Sequence, residues 1–132
     1  MTSVVADTRT LVWYLFEPSR LSAAAGEALD GAIAGGHPVL VSIISIVEIL
    51  YLVEKGKLPR IAWERVTTQL ASGGAIRVVP LDDGVVSAME SIPRQQVPDM
   101  PDRIIAATAR HLGLALVSRD RKILASDVVT IW

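Results

Sequence analysis

The sequence predicts an α/β sandwich built on a mostly parallel sheet of five strands. Short aliphatic runs alternate along the chain with longer amphipathic segments, which is the pattern of strands connected by helices. Glycine, proline and small polar residues fall at the junctions between these segments. Hydrophobic residues make up 51% of the chain and aromatic residues only 5%. A core of this composition is typical of parallel strands that helices cover on both faces.

The N-terminal part of the chain predicts one strand and two helices. The aliphatic run 4–6 predicts a buried strand, and the segment 8–16 predicts a helix that ends before Pro18. Ser22 is a suitable N-cap for a second helix over 23–34, which a Gly-Gly pair terminates.

The middle of the chain continues the alternation. A strand is predicted at 39–41, and Ser42 or Ser45 can cap the following helix, which extends to Lys55. The segment 59–71 predicts another helix, with proline in its first turn.

The C-terminal part predicts two helices and three strands. Asp82 can cap a helix that extends to about residue 92, and a proline-bracketed loop precedes a helix over 99–112, with Gly113 as its C-cap. The remaining strands are predicted at 76–79, 115–117 and 128–131.

Charge, cysteine content and hydropathy exclude several classes of site. The net charge is -1, so the overall charge favours neither nucleic acid nor membrane. The chain has no cysteine, and its 2 histidines lack a partner at zinc-ligand spacing. Neither Gly-Gly pair continues into a phosphate-binding loop. No secretory signal or membrane span is apparent, so we expect one domain over 1–132, located in the cytoplasm.

Four acidic residues end or interrupt the aliphatic runs, namely Asp7, Glu48, Asp102 and Asp120. Burying one unpaired carboxylate costs several kcal/mol, and a shared divalent cation is the simplest compensation for four of them. Since the carboxyl ends of parallel strands meet at one edge, at least Asp7, Glu48 and Asp120 should project toward the same place. Oxygen ligands without His or Cys suit Mg²⁺ or Mn²⁺, and such ions suit phosphodiester hydrolysis.

Each of these acids also has a purely structural interpretation. Asp7 can be a helix N-cap, and Asp120 can end a strand in a turn. Asp99 is the better candidate for the cap of the last long helix, with Asp102 in the favourable first turn. Glu48 can be a solvent-facing residue, although its helical neighbours are apolar.

Polar residues next to the acids are candidates for supporting roles. The hydroxyls of Thr8, Ser45 and Ser118 could orient the carboxylates, or they could be caps and turn residues. The neighbouring arginines could hold phosphates or only solvate the surface; these are Arg9, Arg103, Arg119 and Arg121.

Two other functions stay open at this point. A phosphate-monoester hydrolase could use Asp7 as its nucleophile, but such sites usually have a second aspartate two residues later, where Arg9 stands. A non-catalytic binding module, in which the acids only cap helices, is the second alternative.

Four segments, in this order and at this spacing, resemble the PIN domain family. They are the opening Val-Val-Ala-Asp-Thr, the Ser-Ile-Val-Glu-Ile around Glu48, the block Asp-Met-Pro-Asp-Arg-Ile-Ile-Ala-Ala-Thr-Ala, and the closing Leu-Val-Ser-Arg-Asp. The resemblance extends from about Ser3 to Trp132. More narrowly, the chain is similar to the VapC-type toxins of toxin–antitoxin pairs.

The resemblance implies a three-layer α/β/α sandwich and a Mg²⁺- or Mn²⁺-dependent endoribonuclease. Asp7, Glu48, Asp102 and Asp120 match the acidic quartet of the family, and Asp99 matches an additional acid that many members carry. Ser118 stands where the family often has threonine, which keeps the hydroxyl.

The resemblance also implies an RNA substrate, a cognate antitoxin that covers the acidic site, and a homodimer. Apolar candidates for the surface that would hold the antitoxin are Leu11, Trp13, Tyr14, Leu15, Leu50, Leu58, Ile61 and Trp63, although most of them could equally be core. A PIN-like RNA-processing nuclease without an antitoxin remains an alternative.

Overall fold

A computed structural model describes residues 2–132 and contains the predicted five-stranded sheet. The strands are β1 (Val4–Ala6), β2 (Val39–Ser42), β3 (Ile76–Val79), β4 (Leu116–Val117) and β5 (Thr130–Ile131). Their order in the sheet is β3-β2-β1-β4-β5, and every neighbouring pair is parallel. The chain therefore starts in the centre of the sheet and builds outward first to one edge and then to the other.

Helices connect the strands. They are α1 (Thr8–Phe16), α2 (Ala23–Ala34), α3 (Ile43–Glu54), α4 (Arg60–Ala71), α5 (Asp83–Glu90), α6 (Met100–Leu112) and α7 (Arg121–Leu124). A short 3₁₀ turn, Pro18–Arg20, follows α1. The sequence did not predict this turn or α7, because a single helical turn shows no hydrophobic period.

The helix ends follow the predicted caps with one correction. Ser22 and Asp82 each accept a backbone N–H bond of 3.0 Å at the start of their helices. Gly113 closes α6 in the left-handed conformation, with a φ of 68°. Of the two candidate caps of α3, Ser42 accepts the Ile44 N–H at 3.2 Å, whereas Ser45 lies inside the helix and is fully buried.

Two hydrophobic cores lie on the two faces of the sheet. Along β1, Val4 and Ala6 belong to one core and Val5 belongs to the other, as the alternation of side chains in a strand requires. Leu29 of α2 is buried in the first core, and Ile105 of α6 is buried in the second. Helices on both faces of a parallel sheet make the three-layer sandwich that the resemblance implied. No helix within residues 2–132 combines the length and apolar character needed to cross a bilayer.

Leu29→Ala should lower the free energy of unfolding by about 2 to 5 kcal/mol, because it leaves a cavity among close-packed side chains. Leu29 has an exposed fraction of 0%. Urea denaturation measures the change, and Val86→Ala, at a side chain that is 55% exposed, is the control. We expect the control to change stability by less than about 0.5 kcal/mol. Equal effects of the two substitutions would contradict this packing.

Candidate functional site

Five acidic residues line one open cavity of about 450 Å³. They are Asp7, Glu48, Asp99, Asp102 and Asp120. Asp7 directly follows β1, Glu48 lies in the helix after β2, and Asp120 follows β4. The parallel order of these three strands brings their carboxyl ends to one edge, where α/β folds bind ligands. The structure thus brings together all five acids that the sequence singled out.

The Asp7 carboxylate is held by two hydrogen bonds from different elements. Its Oδ1 accepts the backbone N–H of Thr10 at 2.8 Å, which makes Asp7 the N-cap of α1. Its Oδ2 accepts the hydroxyl of Ser118 at 2.5 Å. Asp7 is only 8% exposed, so these bonds fix the carboxylate at the wall of the cavity. The capping interpretation is therefore right, but the same carboxylate also lines the cavity.

Glu48 lies half-buried on α3 and is oriented by a hydroxyl pair. The Thr8 hydroxyl donates to Glu48 Oε1 at 2.6 Å, and Thr8 Oγ1 lies 3.0 Å from the Ser45 hydroxyl oxygen. Burial raises the pKa of Glu48 above its ordinary value. The Thr8 hydrogen bond opposes this rise in pKa, while the carboxylates of Asp99 and Asp7 add to it.

Asp99 and Asp102 share the first turn of α6. Asp99 is the N-cap, and its Oδ2 accepts the Asp102 N–H at 3.1 Å. Asp102 is half-buried, and burial raises its pKa from 3.8 to about 7. The other four carboxylates add to the rise, in the order Asp99, Asp120, Glu48 and Asp7. Burial and the neighbouring carboxylates thus act in the same direction on the pKa of Asp102.

Ser118 connects two of the acids. Its hydroxyl donates to Asp7 and accepts the backbone N–H of Asp120 at 3.1 Å, and the side chain is fully buried. Asp120 itself caps α7, because its Oδ1 accepts the N–H groups of Lys122 at 2.9 Å and Ile123 at 3.0 Å. One hydroxyl thus fixes the ends of β1 and β4 relative to each other.

The carboxylates of the cavity form no ion pair with basic side chains within residues 2–132. The one ion pair within residues 2–132 joins Arg20 to Glu17, and neither residue lines the cavity. Carboxylate oxygens with excess negative charge are the donors that a hard divalent cation prefers. In the described part of the chain, no group of three or more His, Cys, Asp or Glu side chains is placed so that it could hold a metal ion. An ion that keeps several of its waters fits such spaced donors, and Mg²⁺ is of this kind.

The arginines next to the acids lie in different environments. The Arg103 guanidinium donates to the carbonyls of Met89 at 2.9 Å and Ile92 at 3.0 Å, which ties α6 to the end of α5. This placement favours a structural role for Arg103. Arg9 lines the acidic cavity, and both Arg9 and Arg119 lie over the ring of Trp13.

Apolar residues form another part of the cavity wall. They are Val12, Trp13, Leu52 and Leu58. Trp13 and Leu58 were among the apolar candidates for a partner surface, whereas Leu11, another candidate, is buried in the core at 1% exposure. Sequence reasoning missed Val12 and Leu52, because their helices have apolar residues on several faces.

A second cavity of about 290 Å³ adjoins the first and shares Asp99, Asp102 and Asp120 with it. The other residues that line it are Val97, Pro98, Arg121 and Lys122. Sequence reasoning did not single out Lys122, since an exposed lysine in a short charged segment has no distinctive pattern.

Sequence comparisons identify relatives over the whole chain. The family model of the PIN domain matches residues 4–128. Ribonuclease VapC22 of Mycobacterium tuberculosis is 32% identical over 139 aligned residues, which cover 100% of this chain and 100% of that protein.

Solved structures show the same fold. A chain of VapBC2 from Rickettsia felis, bound to a DNA fragment from its promoter, has a TM-score of 0.74 at 13% identity. A chain of DNA-bound VapBC from Salmonella typhimurium has a TM-score of 0.73 at 18% identity. Each match covers 98% of this chain and 96% of the other.

Proposed function

Because this chain belongs to the PIN domain family and is a full-length homologue of a VapC ribonuclease, we propose that it is a ribonuclease toxin of a type II toxin–antitoxin pair. Its reaction is the divalent-metal-dependent hydrolysis of RNA phosphodiester bonds inside an RNA strand, in the cytoplasm. The observation that carries the proposal is one cavity lined by five carboxylates that have no cationic partner within residues 2–132.

Mg²⁺ is the cofactor we propose, with Mn²⁺ as a substitute. The residues that would hold it are Asp7, Glu48, Asp102 and Asp120, with Asp99 as a further candidate. When bound, the ion would supply Lewis-acid stabilisation of the negative charge that develops on the phosphate oxygens. Burial is the main cause of the raised pKa values of Asp102 and Glu48, and cation binding would relieve the repulsion from neighbouring acids that adds to it.

Two hydroxyl groups orient carboxylates that would hold the metal ion. Thr8 holds Glu48 in a fixed orientation, and Ser118 does the same for Asp7. Such partners restrict the rotation of the carboxylates and so avoid a reorganisation cost when the substrate binds.

The non-catalytic alternative explains only part of the geometry. Asp7, Asp99 and Asp120 do cap helices, as a purely structural role would require. Glu48 and Asp102 are not helix caps, and both are half-buried with pKa values raised by burial and neighbouring acids. A fold that needed only caps would gain nothing from this accumulation of charge. The monoester-hydrolase alternative still lacks its second aspartate, because Arg9 occupies that position.

Mapping of cleavage sites on total RNA tests the proposed function. We expect purified, partner-free protein to cut at discrete internal positions with Mg²⁺ and not with EDTA. Sequencing of the new 5′ ends identifies these positions. Cleavage that persists in EDTA, or no cleavage with either Mg²⁺ or Mn²⁺, would contradict the proposal.

Ser118→Ala should lower kcat for RNA cleavage by about 10- to 100-fold, as removal of a carboxylate-orienting partner does. The substitution removes the hydroxyl that positions Asp7 and Asp120 and leaves the acids themselves in place. The matched control is Ser126→Ala. The Ser126 hydroxyl also donates at short range, at 2.6 Å to Ile123, but this residue does not line either acidic cavity. Equal kcat values for the two variants would contradict the role of Ser118.

An antitoxin and a second copy of the chain are the protein partners we propose. Co-expression with a small neighbouring reading frame should block cleavage if the chain is a toxin, and a stand-alone RNA-processing nuclease would stay active. For the homodimer, the support is an exposed apolar stripe on α3, in which Ile43, Val47 and Tyr51 are 38%, 42% and 57% exposed.

Val47→Glu should convert the dimer into a monomer, since it places a charge in the middle of this apolar stripe. Sedimentation velocity at several protein concentrations measures the change. The control is Val86→Glu at another exposed valine, which should leave the sedimentation coefficient unchanged. A wild-type chain that sediments as a monomer at every concentration would contradict the homodimer.

A further inference from the structure

We propose that two basic subsites, one beside the first acidic cavity and one lining the second, hold the phosphates that flank the cleaved bond of a single RNA strand. The first subsite is the arginine group around Trp13, formed by Arg9, Arg20 and Arg119. The second is the pair Arg121 and Lys122 at the start of α7. This inference rests on the proposed function, and it adds the path of the substrate across the site.

In the first subsite, three guanidinium groups surround one indole ring. Their carbon atoms lie 5.7 Å (Arg9), 4.7 Å (Arg20) and 6.0 Å (Arg119) from the ring centroid of Trp13. They come from α1, from the turn after it and from the segment after β4, and all three side chains are exposed. The ring itself is 6% exposed and packs against Trp132, with the two ring centroids 5.8 Å apart.

This arrangement concentrates positive charge beside the acidic cavity. Like charges held near one ring repel one another, and the cation–π attraction offsets only part of that cost. Within residues 2–132, Glu17 pairs with Arg20, whereas Arg9 and Arg119 form no ion pair. Guanidinium groups match phosphate oxygens in geometry, so an incoming phosphodiester strand can pair with Arg9 and Arg119. Because Trp13 is buried, the ring holds the arginines and is not a stacking surface for a base.

The second subsite lies at the other acidic cavity. Arg121 and Lys122 are exposed and line it together with Asp99, Asp102 and Asp120. Asp120 caps α7 with its own side chain and separates Arg119 from Arg121 along the chain. The segment 119–122 therefore places Arg119 over Trp13, and it places Arg121 and Lys122 at the second cavity.

Electrostatics explains why such a protein needs both subsites. Five carboxylates repel a polyanion, and a net charge of -1 provides no long-range attraction. Screening limits useful attraction to about 8 to 10 Å at ordinary salt, so the compensating cations must lie directly at the cavities. Cations beside the first cavity and in the second hold the strand across the acids that the two cavities share. Unpaired RNA can bend its backbone into half-buried acids, whereas a regular duplex cannot.

The salt dependence of RNA binding tests the two subsites. The probe is a labelled single-stranded RNA of mixed sequence, and Asp102→Asn is present in every protein to prevent cleavage. For a single strand, the slope of log K against log salt changes by about 0.7 for each phosphate contact. We expect Arg9→Gln with Arg119→Gln to reduce the slope by about 1.4, and Arg121→Gln with Lys122→Gln to do the same.

Arg65→Gln is the matched control for the first subsite. Arg65 also lies over an aromatic ring, at 5.3 Å from the centroid of Phe16, but it lines neither acidic cavity. Its substitution should leave the salt slope unchanged. Unchanged slopes in the subsite variants, or an equal reduction in Arg65→Gln, would overturn the proposal and would assign these cations to another partner or to solvent.

Shortened substrates test whether the subsites hold different flanks. With the active protein and RNAs trimmed at one end, one pair of substitutions should stop affecting kcat/KM. With RNAs trimmed at the other end, the second pair of substitutions should stop affecting kcat/KM. If both pairs respond to the same end, the two-sided path is wrong. If the wild-type protein cleaves no RNA but the subsite variants show the expected reduction in salt slope, only the proposed function is wrong. If the wild-type protein cleaves RNA but the subsite variants keep its salt slope, only the subsites are wrong.

Discussion

Asp7→Asn should lower kcat/KM for RNA cleavage on the order of 10³-fold while the melting temperature stays close to that of the wild type. Asparagine keeps the oxygen that accepts the Thr10 N–H, and it is as good an N-cap as aspartate. It loses the negative charge that we propose helps to hold the metal, and its Nδ2 donates to the Ser118 hydroxyl oxygen in place of accepting from that hydroxyl. Several kcal/mol of charge stabilisation depend on that ion, and about 1.4 kcal/mol corresponds to a tenfold change in rate.

Asp82→Asn is the control that separates capping from catalysis. Asp82 caps α5 by the same kind of bond, at 3.0 Å to the Val85 N–H, and it lines neither acidic cavity. We expect it to cleave RNA at the wild-type rate. Wild-type activity in Asp7→Asn would mean that the aspartate is only a cap. If both variants lose the same amount of cleavage activity, the substitutions lower activity by weakening the helix caps and not by removing a metal ligand.

Stability of the metal-free protein should fall as the pH is raised from about 4 to about 7. The pKa of Asp102 is about 7 in the folded protein, against an ordinary value of 3.8. Between these values the folded state keeps a proton that the unfolded chain releases, so unfolding becomes more favourable with rising pH. The raised pKa of Glu48 acts in the same direction. Because both groups are partly solvated, we expect a decrease in Tm of a few degrees, measured in EDTA.

Asp102→Asn should flatten this pH profile and raise the Tm at pH 8 above that of the wild type, since it removes the charge that burial and the other acids disfavour. Asp127→Asn, at an exposed acid outside both acidic cavities, is the control and should keep the wild-type profile. If the stability of the metal-free wild type and that of Asp102→Asn change by the same amount between pH 4 and pH 7, the raised pKa of Asp102 is not the origin of the pH dependence.

Addition of Mg²⁺ or Mn²⁺ at pH 8 should reverse the destabilisation of the wild type. A ligand present at 100 times its Kd adds about 2.7 kcal/mol to the free energy of unfolding. We expect a clear rise in Tm for the wild type and a much smaller one for Asp102→Asn. An equal rise in both proteins would place the cation elsewhere on the molecule.

Capping and the proposed chemistry are combined in the same side chains. Asp7 follows β1 directly, Asp120 lies three residues after the end of β4, and each caps the next helix. Their positions therefore suit both capping and ligand binding. The strand ends bring the side chains to the ligand-binding edge, and the cap bonds hold them in one orientation. The structural and functional interpretations, which the sequence left as alternatives, are therefore compatible for these residues.

The positions of the strands and of the helix starts could be predicted from the sequence, because they depend on local pattern alone. The aliphatic runs located the strands, and the cap residues located the starts of helices, because burial and capping depend on residues close together along the chain. The α/β class, the order of the elements and the expectation that at least Asp7, Glu48 and Asp120 share one edge followed from these patterns. The two-residue length of β5 and the single turn of α7 did not, since short elements depend on the neighbours they pack against.

Contacts between distant segments were decided only by the tertiary structure. The sequence by itself determined the fold class and singled out Asp7, Glu48, Asp102 and Asp120, because hydrophobic period and residue type are local properties. Asp99 was added to this set only by the resemblance to the PIN domain family. It could not determine that Ser118 donates to Asp7, that Thr8 donates to Glu48, or that Arg103 is bound to backbone carbonyls while Arg119 lies over Trp13. Nor could it determine the pKa of Asp102, since that value depends on burial and on distances between charges that only the packed chain defines.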